Sequence, residues 1–160
     1  MAVHNVHERL LAATAGRVGA LLDSLSGDDD RLWPHHGWPP MRFDRPLGEG
    51  AVGGHGPVRY TVTAYTPATR VRFTFTGPRG FDGFHEFTVL AVDEGHTLLR
   101  HTLAMRARGP ARLGWPLVWR PLHDACLEES LDRAELACTG AVARPAVRGR
   151  YVTLLRRLVR

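Results

Sequence analysis

The spacing of hydrophobic and polar residues changes along the chain, and each change marks an element. Val3 to Leu11 mixes polar and apolar residues in the manner of a strand. Ala12 to Leu25 predicts a helix, with Val18, Leu21, Leu22 and Leu25 at helical spacing and Thr14 as its N-cap. The run GDDD (27–30) ends it, and a connector rich in Trp and Pro (31–41) denies a regular element. The period then becomes two. Met41–Leu47 predicts a short strand and 48–57 a glycine-rich turn. Val58–Tyr65, Thr69–Thr76, Phe84–Val92 and Thr97–Arg108 predict four strands, with TPAT (66–69) and DEGH (93–96) among the turns. Strands so close in sequence imply an antiparallel meander with one face wet.

The dry face needs a cover. Trp115 to about Cys138 supplies the longest helical pattern, with Leu127, Leu131, Ala134 and Cys138 in one stripe. A second stripe, Asp124, Glu128, Asp132 and Glu135, is expected to be solvated. Pro121 predicts a kink or a late start, and Gly140 and Pro145 the end. Arg150–Arg160 reads as a last amphipathic stretch, with Tyr151, Leu154, Leu155, Leu158 and Val159 opposite arginines. The division expected is a domain over 1–140 and a basic tail over 141–160.

Composition narrows this picture. A chain of 160 residues should bury about 69% of its unfolded surface, enough for one core. Every basic residue is arginine, and the net charge is +5. Residues 139–160 hold six arginines and no acid, so the rest of the chain carries 5 − 6 = −1. The basic character thus belongs to the tail, and no nucleic-acid partner is expected. No apolar run reaches the roughly 18 residues of a spanning helix. The start, MAVHNVHERLL, lacks a signal-peptide layout, so a cytoplasmic location is expected. Cys126 and Cys138, twelve apart on one helix, lie too far apart for a disulfide and read as buried thiols.

The order strand, helix, connector, meander, long helix is that of a helix-grip plan. The stretches 56–87, TLLRHTL (97–103) and WPLVWRPLHDACLEESLDRAE (115–135) resemble the SRPBCC superfamily of START domains and polyketide cyclase/dehydrase-like proteins. The resemblance covers roughly residues 3–138. It implies an α+β fold in which a curved antiparallel sheet wraps around the long C-terminal helix, with an apolar cavity between them. It does not specify an activity, because one scaffold of this kind carries many functions.

Three histidines fall on expected inward faces. His101 alternates with Leu99, Leu103 and Met105; His85 shares a face with Phe87 and Val89; His123 shares a helix stripe with Leu127. A desolvated imidazole stays neutral and can act as a general base. Tyr60, inward on its strand, could donate to a developing oxyanion. His101, His85 and Tyr60 are therefore the catalytic candidates if a reaction occurs, and the bland alternative is a set of hydrogen-bonded core residues. On the strands, Tyr60, Val62, Phe73, Phe75, His85 and Phe87 are expected to line the cavity. Leu99, His101, Leu103, His123 and Leu127 complete the expected lining.

Metal and nucleophile chemistry find less support. His4 and His7 point to opposite faces of a strand, His35 and His36 lack further spaced ligands, and adjacent His123 and Asp124 diverge on a helix. No metal and no cofactor are expected. GxSxG and P-loop motifs are absent. The expected function is binding of a hydrophobic small molecule: a lipid, polyketide or aromatic. The alternatives are a cofactor-independent cyclase or dehydratase using a pocket histidine, and an interaction module acting through its surface or tail. Residues 150–160 could also touch an anionic membrane surface or support a homodimer.

Overall fold

The computed structural model describes residues 1–158. Val159 and Arg160, placed by the sequence pattern on the last helix, lie outside the described residues. The elements run β1 (Ala2–Leu11), α1 (Ala15–Asp23), β2 (Arg42–Phe43), β3 (Val52–His55), β4 (Val58–Thr66), β5 (Arg70–Gly77), β6 (Phe81–Ala91) and β7 (Thr97–Ala107). A short α2 (Ala111–Gly114), a wide π-type turn (Trp115–Trp119), α3 (Arg120–Thr139) and α4 (Arg150–Leu158) follow. The strands form one antiparallel sheet in the order β1-β7-β6-β5-β4-β3-β2. Alternation along β4 to β7 puts one side chain in two against the helices. Register shifts at Arg59/Tyr60 and Val62/Ala64 add local twist to the sheet. The architecture is the expected α+β helix-grip, a curved sheet with the long C-terminal helix packed on it.

The boundaries differ from the sequence pattern where side chains carry no signal. α1 starts at Ala15, where Thr14 Oγ1 accepts from Arg17 N at 3.4 Å, and it ends at Asp23. The strand expected at 41–47 shrinks to two residues, and the glycine-rich turn contains β3. Gly53 and Gly54 hide that strand from any alternation rule. A Cβ on Gly53 would run into the Arg42 carbonyl, so only a bare backbone can pair there. Asp30 organises the connector by accepting from the backbone N–H groups of Ser26, Leu32 and Trp33. Leu32 and Trp33 thereby become buried.

The C-terminal helical run begins earlier than expected, at Ala111, and passes through the π-type turn just before Pro121. Pro121 has no N–H to give to the carbonyl four residues back. That carbonyl, on Leu117, instead accepts from the Tyr151 hydroxyl at 2.5 Å. Gly140 closes α3 in the left-handed region (φ 81°), its N–H returning to Leu136 O. The basic tail lies on the body: Leu155 is buried, Arg148 pairs with Glu129, and Arg156 donates to the Gly37 carbonyl. Tyr151, Leu154 and Leu158 remain exposed.

Buried apolar side chains form two clusters. The larger joins α1, the connector, β4 to β7 and α3, with Leu22, Leu99, Leu131 and Ala134 wholly buried. The smaller gathers Phe81, Leu103, Met105, Ala107, Ala111 and Trp115. Phe75 and Trp119 touch both.

Candidate functional site

A cavity of about 100 Å³ opens at the seam between the two clusters. From the sheet, Val58, Phe75, Phe81, His85, His101 and Leu103 line it; from the helical side, Trp115, Trp119, Leu122, His123, Cys126 and Leu127 do. Of the residues singled out from sequence, Phe75, His85, His101, Leu103, His123 and Leu127 therefore face it. Tyr60, Val62, Phe73, Phe87 and Leu99 are instead packed into the larger cluster, outside its lining. Tyr60 and Phe73 stand directly opposite the lining residues Phe75 and His85 in the sheet, but the Phe43 ring packs on both, at 5.8 and 5.9 Å between centroids, and takes the space in front of them.

The third wall was missed by the sequence reading. It comes from the connector and the glycine-rich segment: Trp33, Trp38, Pro39, His55, Gly56 and Pro57. The available signal was two tryptophans in a stretch without regular structure. Large apolar rings in a loop need burial somewhere, and here the nearby wall is the cavity's. Trp33 Nε1 donates to Pro39 O at 2.9 Å and Trp38 Nε1 to Glu129 at 3.0 Å, so both rings are held by their polar edges.

The polar content of the interior is a linked set of rings. His85 Nδ1 and His101 Nε2 lie 3.2 Å apart, so one donates and the other accepts. The His101 ring centroid is 5.1 Å from that of His123, and the Tyr60 ring is 4.9 Å from His85. Among the described residues, His85 Nε2, His101 Nδ1, both His123 nitrogens and the Tyr60 hydroxyl are buried without a hydrogen-bond partner. Burial, reinforced by mutual repulsion among the imidazoles, holds His85 and His101 well below the usual histidine pKa. Burial and the neighbouring His123 and Arg59 push His55 down to about 3. Burial raises the Tyr60 phenol and the Cys126 thiol. At neutral pH these groups are uncharged, so the cavity presents neutral donors and acceptors within an apolar wall.

Behind His123 lies a second polar region, and here an expectation fails. The stripe Asp124, Glu128, Asp132, Glu135 is not simply solvated. β1 lies across α3 with Asn5, His7 and Arg9 on its inward side. Arg9 binds Glu128, Asp132 and Glu135 at 3.2, 3.1 and 2.5 Å. His7 spans Glu128 (Nδ1, 2.7 Å) and Asp124 (Nε2, 3.1 Å), and Asn5 Nδ2 donates to Asp124 at 3.0 Å. Burial pulls the His7 pKa down, but the two carboxylates outweigh it and the net shift is upward. His123 Nδ1 comes within 3.6 Å of Asp124 Oδ1, although adjacent helix residues diverge in general. His7, His123 and Asp124 thus bring three donor atoms within 4.8 Å of one another.

No protein-family profile matches the sequence, and no curated protein matches it. Solved structures do. A solution structure from Thermobifida fusca aligns at TM-score 0.64 and 20% identity, over 91% of this chain and 99% of that one. CalU16 from Micromonospora echinospora aligns at 0.62 and 14%, over 98% and 83%. Norcoclaurine synthase from Thalictrum flavum, in complex with dopamine and hydroxybenzaldehyde, aligns at 0.62 and 12%, over 84% of each chain. No helix among the described residues is long and apolar enough to cross a membrane. At such identities a likeness establishes architecture alone, and the architecture is the helix-grip fold.

Proposed function

We propose that the protein binds a small, neutral, single-ring aromatic molecule bearing an oxygen substituent, held between the sheet and α3. The observation that carries this is the cavity itself, about 100 Å³ with an aromatic and aliphatic wall and five unpartnered polar atoms buried in and around it. Apolar cavities of about 150 Å³ accept a benzene-sized ring, so one ring is the most this hollow of about 100 Å³ takes, and its entry requires the connector wall to give way. A lipid chain or a fused polyketide needs several times that room. Each buried polar atom without a partner costs about 1–3 kcal/mol, so a ligand hydroxyl or carbonyl gains by pairing with an imidazole. Norcoclaurine synthase, which shares the fold, holds dopamine and hydroxybenzaldehyde, single-ring compounds of this size class.

One observation favours catalysis as a second reading. The His85–His101 hydrogen bond fixes the proton arrangement of one ring through the other. A neutral imidazole so oriented can take a proton from a bound carbonyl compound, as a cyclase or dehydratase requires. Tyr60 packs edge-on against His85 but lies outside the cavity lining, so the imidazoles alone are left to move the proton. Calorimetric titration with phenol, hydroxybenzaldehyde and palmitate tests the binding reading. The aromatics should bind and palmitate should not, and Cys126→Phe, which fills the cavity, should abolish uptake. Palmitate binding with no aromatic binding, or uptake unchanged in Cys126→Phe, overturns it. For catalysis, His101→Gln should remove turnover while ligand affinity persists; equal loss of both removes the case for a base.

A further inference from the structure

We propose that His7, His123 and Asp124 form a binding site for a divalent transition-metal ion of the zinc class, behind the cavity wall. Two imidazoles and a carboxylate are the donor set such ions accept. With bonds of about 2.0–2.2 Å, tetrahedral ligands stand roughly 3.3–3.5 Å apart. His7 Nε2 lies 3.1 Å and His123 Nδ1 3.6 Å from Asp124 Oδ1, and all three donor atoms fall within 4.8 Å. Only small side-chain shifts separate this arrangement from coordination.

Three further features fit a site built around an ion. His7 gives its other nitrogen to Glu128 Oε1 at 2.7 Å. That is the carboxylate–imidazole contact that orients a metal-binding ring and raises its basicity. Both nitrogens of His123 are buried without a hydrogen-bond partner, and its side chain is only 16% exposed. Such an imidazole is costly unless something takes its lone pair. Asn5 donates to Asp124 from Nδ2 while its Oδ1 is buried and unpartnered. Turning that amide over would offer an oxygen as a fourth ligand. Arg120 also reaches Asp124, at 3.5 Å on Oδ2, leaving Oδ1 to face the two rings. The ligands come from two elements far apart in sequence, so binding would clamp β1 to α3. His123 also lines the cavity, which puts the ion one side chain away from a bound ligand.

Titration of the chelator-treated full chain with Co²⁺, read by visible absorption and calorimetry, tests the site. One equivalent should bind, with a d–d band in the visible, and Zn²⁺ should displace it. His123→Gln should abolish that band. Glu128→Gln, a change on a half-exposed helix face that leaves all three ligands in place, should weaken binding about 10–100-fold. His35→Gln/His36→Gln, which removes the histidine pair of the connector, should leave binding unchanged. Far-UV circular dichroism confirms that each variant is folded; if His123→Gln is not, Glu128→Gln decides. Failure to bind Co²⁺ or Zn²⁺ at micromolar concentration overturns the proposal. So does affinity that survives intact in the folded His123→Gln or Glu128→Gln variant, or binding that vanishes with His35 and His36.

Discussion

The two halves of α3 face the same sheet with different results. Its C-terminal half sets Leu131, Ala134 and Cys138 into the larger cluster, where neighbours fill the space. Its N-terminal half brings Leu122, His123, Cys126 and Leu127 to the seam, and a cavity remains. The difference lies in what stands opposite. α1 lays Val18, Leu21 and Leu22 beneath the C-terminal half. Over the N-terminal half the covering chain is the irregular connector, whose tryptophans form a wall without filling the gap. A close-packed end can thus anchor the fold while the other end keeps polar groups in a dry interior.

Truncation should separate the halves most sharply. Leu131→Ala opens space where side chains are already close-packed and should cost about 3–5 kcal/mol in urea unfolding. Leu127→Ala enlarges an existing void and should cost less, about 2 kcal/mol. It should also admit two-ring aromatics that the parent protein rejects in calorimetry. Equal losses from the two substitutions would mean that both ends are packed alike.

The seam between β1 and α3 supplies the next effect. Arg9 carries three carboxylate contacts, and its side chain and those of Asp132 and Glu135 are at most one-fifth exposed. Arg9→Met should destabilise by about 1–3 kcal/mol, because it leaves partly buried acids without their cation. A cycle with Asp132→Asn should return a coupling of about 1 kcal/mol. Absence of coupling would make the stripe the solvated one that its periodicity suggests.

That stripe shows where the sequence is legible and where it is not. Period-two alternation placed β4 to β7 and the inward faces of His85 and His101, because a sheet with one dry face repeats its pattern at every strand. The long helix followed from a stripe of Leu and Ala. The partner of the acidic stripe was hidden, because β1 pairs with β7 at the sheet edge and turns inward Asn5, His7 and Arg9. In sequence those residues are only the polar members of a mixed strand, and the acids that meet them lie 117 to 126 positions away. β3 was hidden for another reason: glycine pairs without leaving a pattern. Which inward residues meet space and which meet side chains depends on the placement of the connector, which no local period encodes. Val62 and Phe73 therefore read the same as Phe75 in sequence and occupy different surroundings.

Acid should expose the polar end selectively. His55, with a folded pKa of about 3, is neutral in the native protein and takes up a proton near pH 6.5 when unfolded. The stability this represents is present above pH 6.5 and is lost as pH falls from there toward 3. Burial shifts His85 and His101 in the same direction. The urea midpoint should therefore drop between pH 7 and pH 4, and His55→Gln should reduce proton uptake on unfolding by up to about one. If the pH dependence of His55→Gln matches the parent's, that imidazole is hydrated and the connector does not seal the cavity.

The smallest effect on stability, and a separate one on kinetics, belongs to the tail. The Trp38 indole forms part of the cavity wall, and the Arg156 and Arg148 guanidinium carbons lie 4.8 and 5.9 Å from its ring centroid. Arg148 also pairs with Glu129, which accepts from Trp38 Nε1. The arginines thus press the indole inward from the solvent side, against an acid that holds its edge. Replacing both with glutamine removes contacts that are worth together about 1 kcal/mol, so unfolding should barely change. The connector, however, loses its outer clasp on the hollow end and nothing at the filled end. Stopped-flow displacement of a bound phenol should accordingly show several-fold faster release, with Trp38 emission shifted to longer wavelength. Unchanged release would mean that the ligand does not leave past the Trp38 wall.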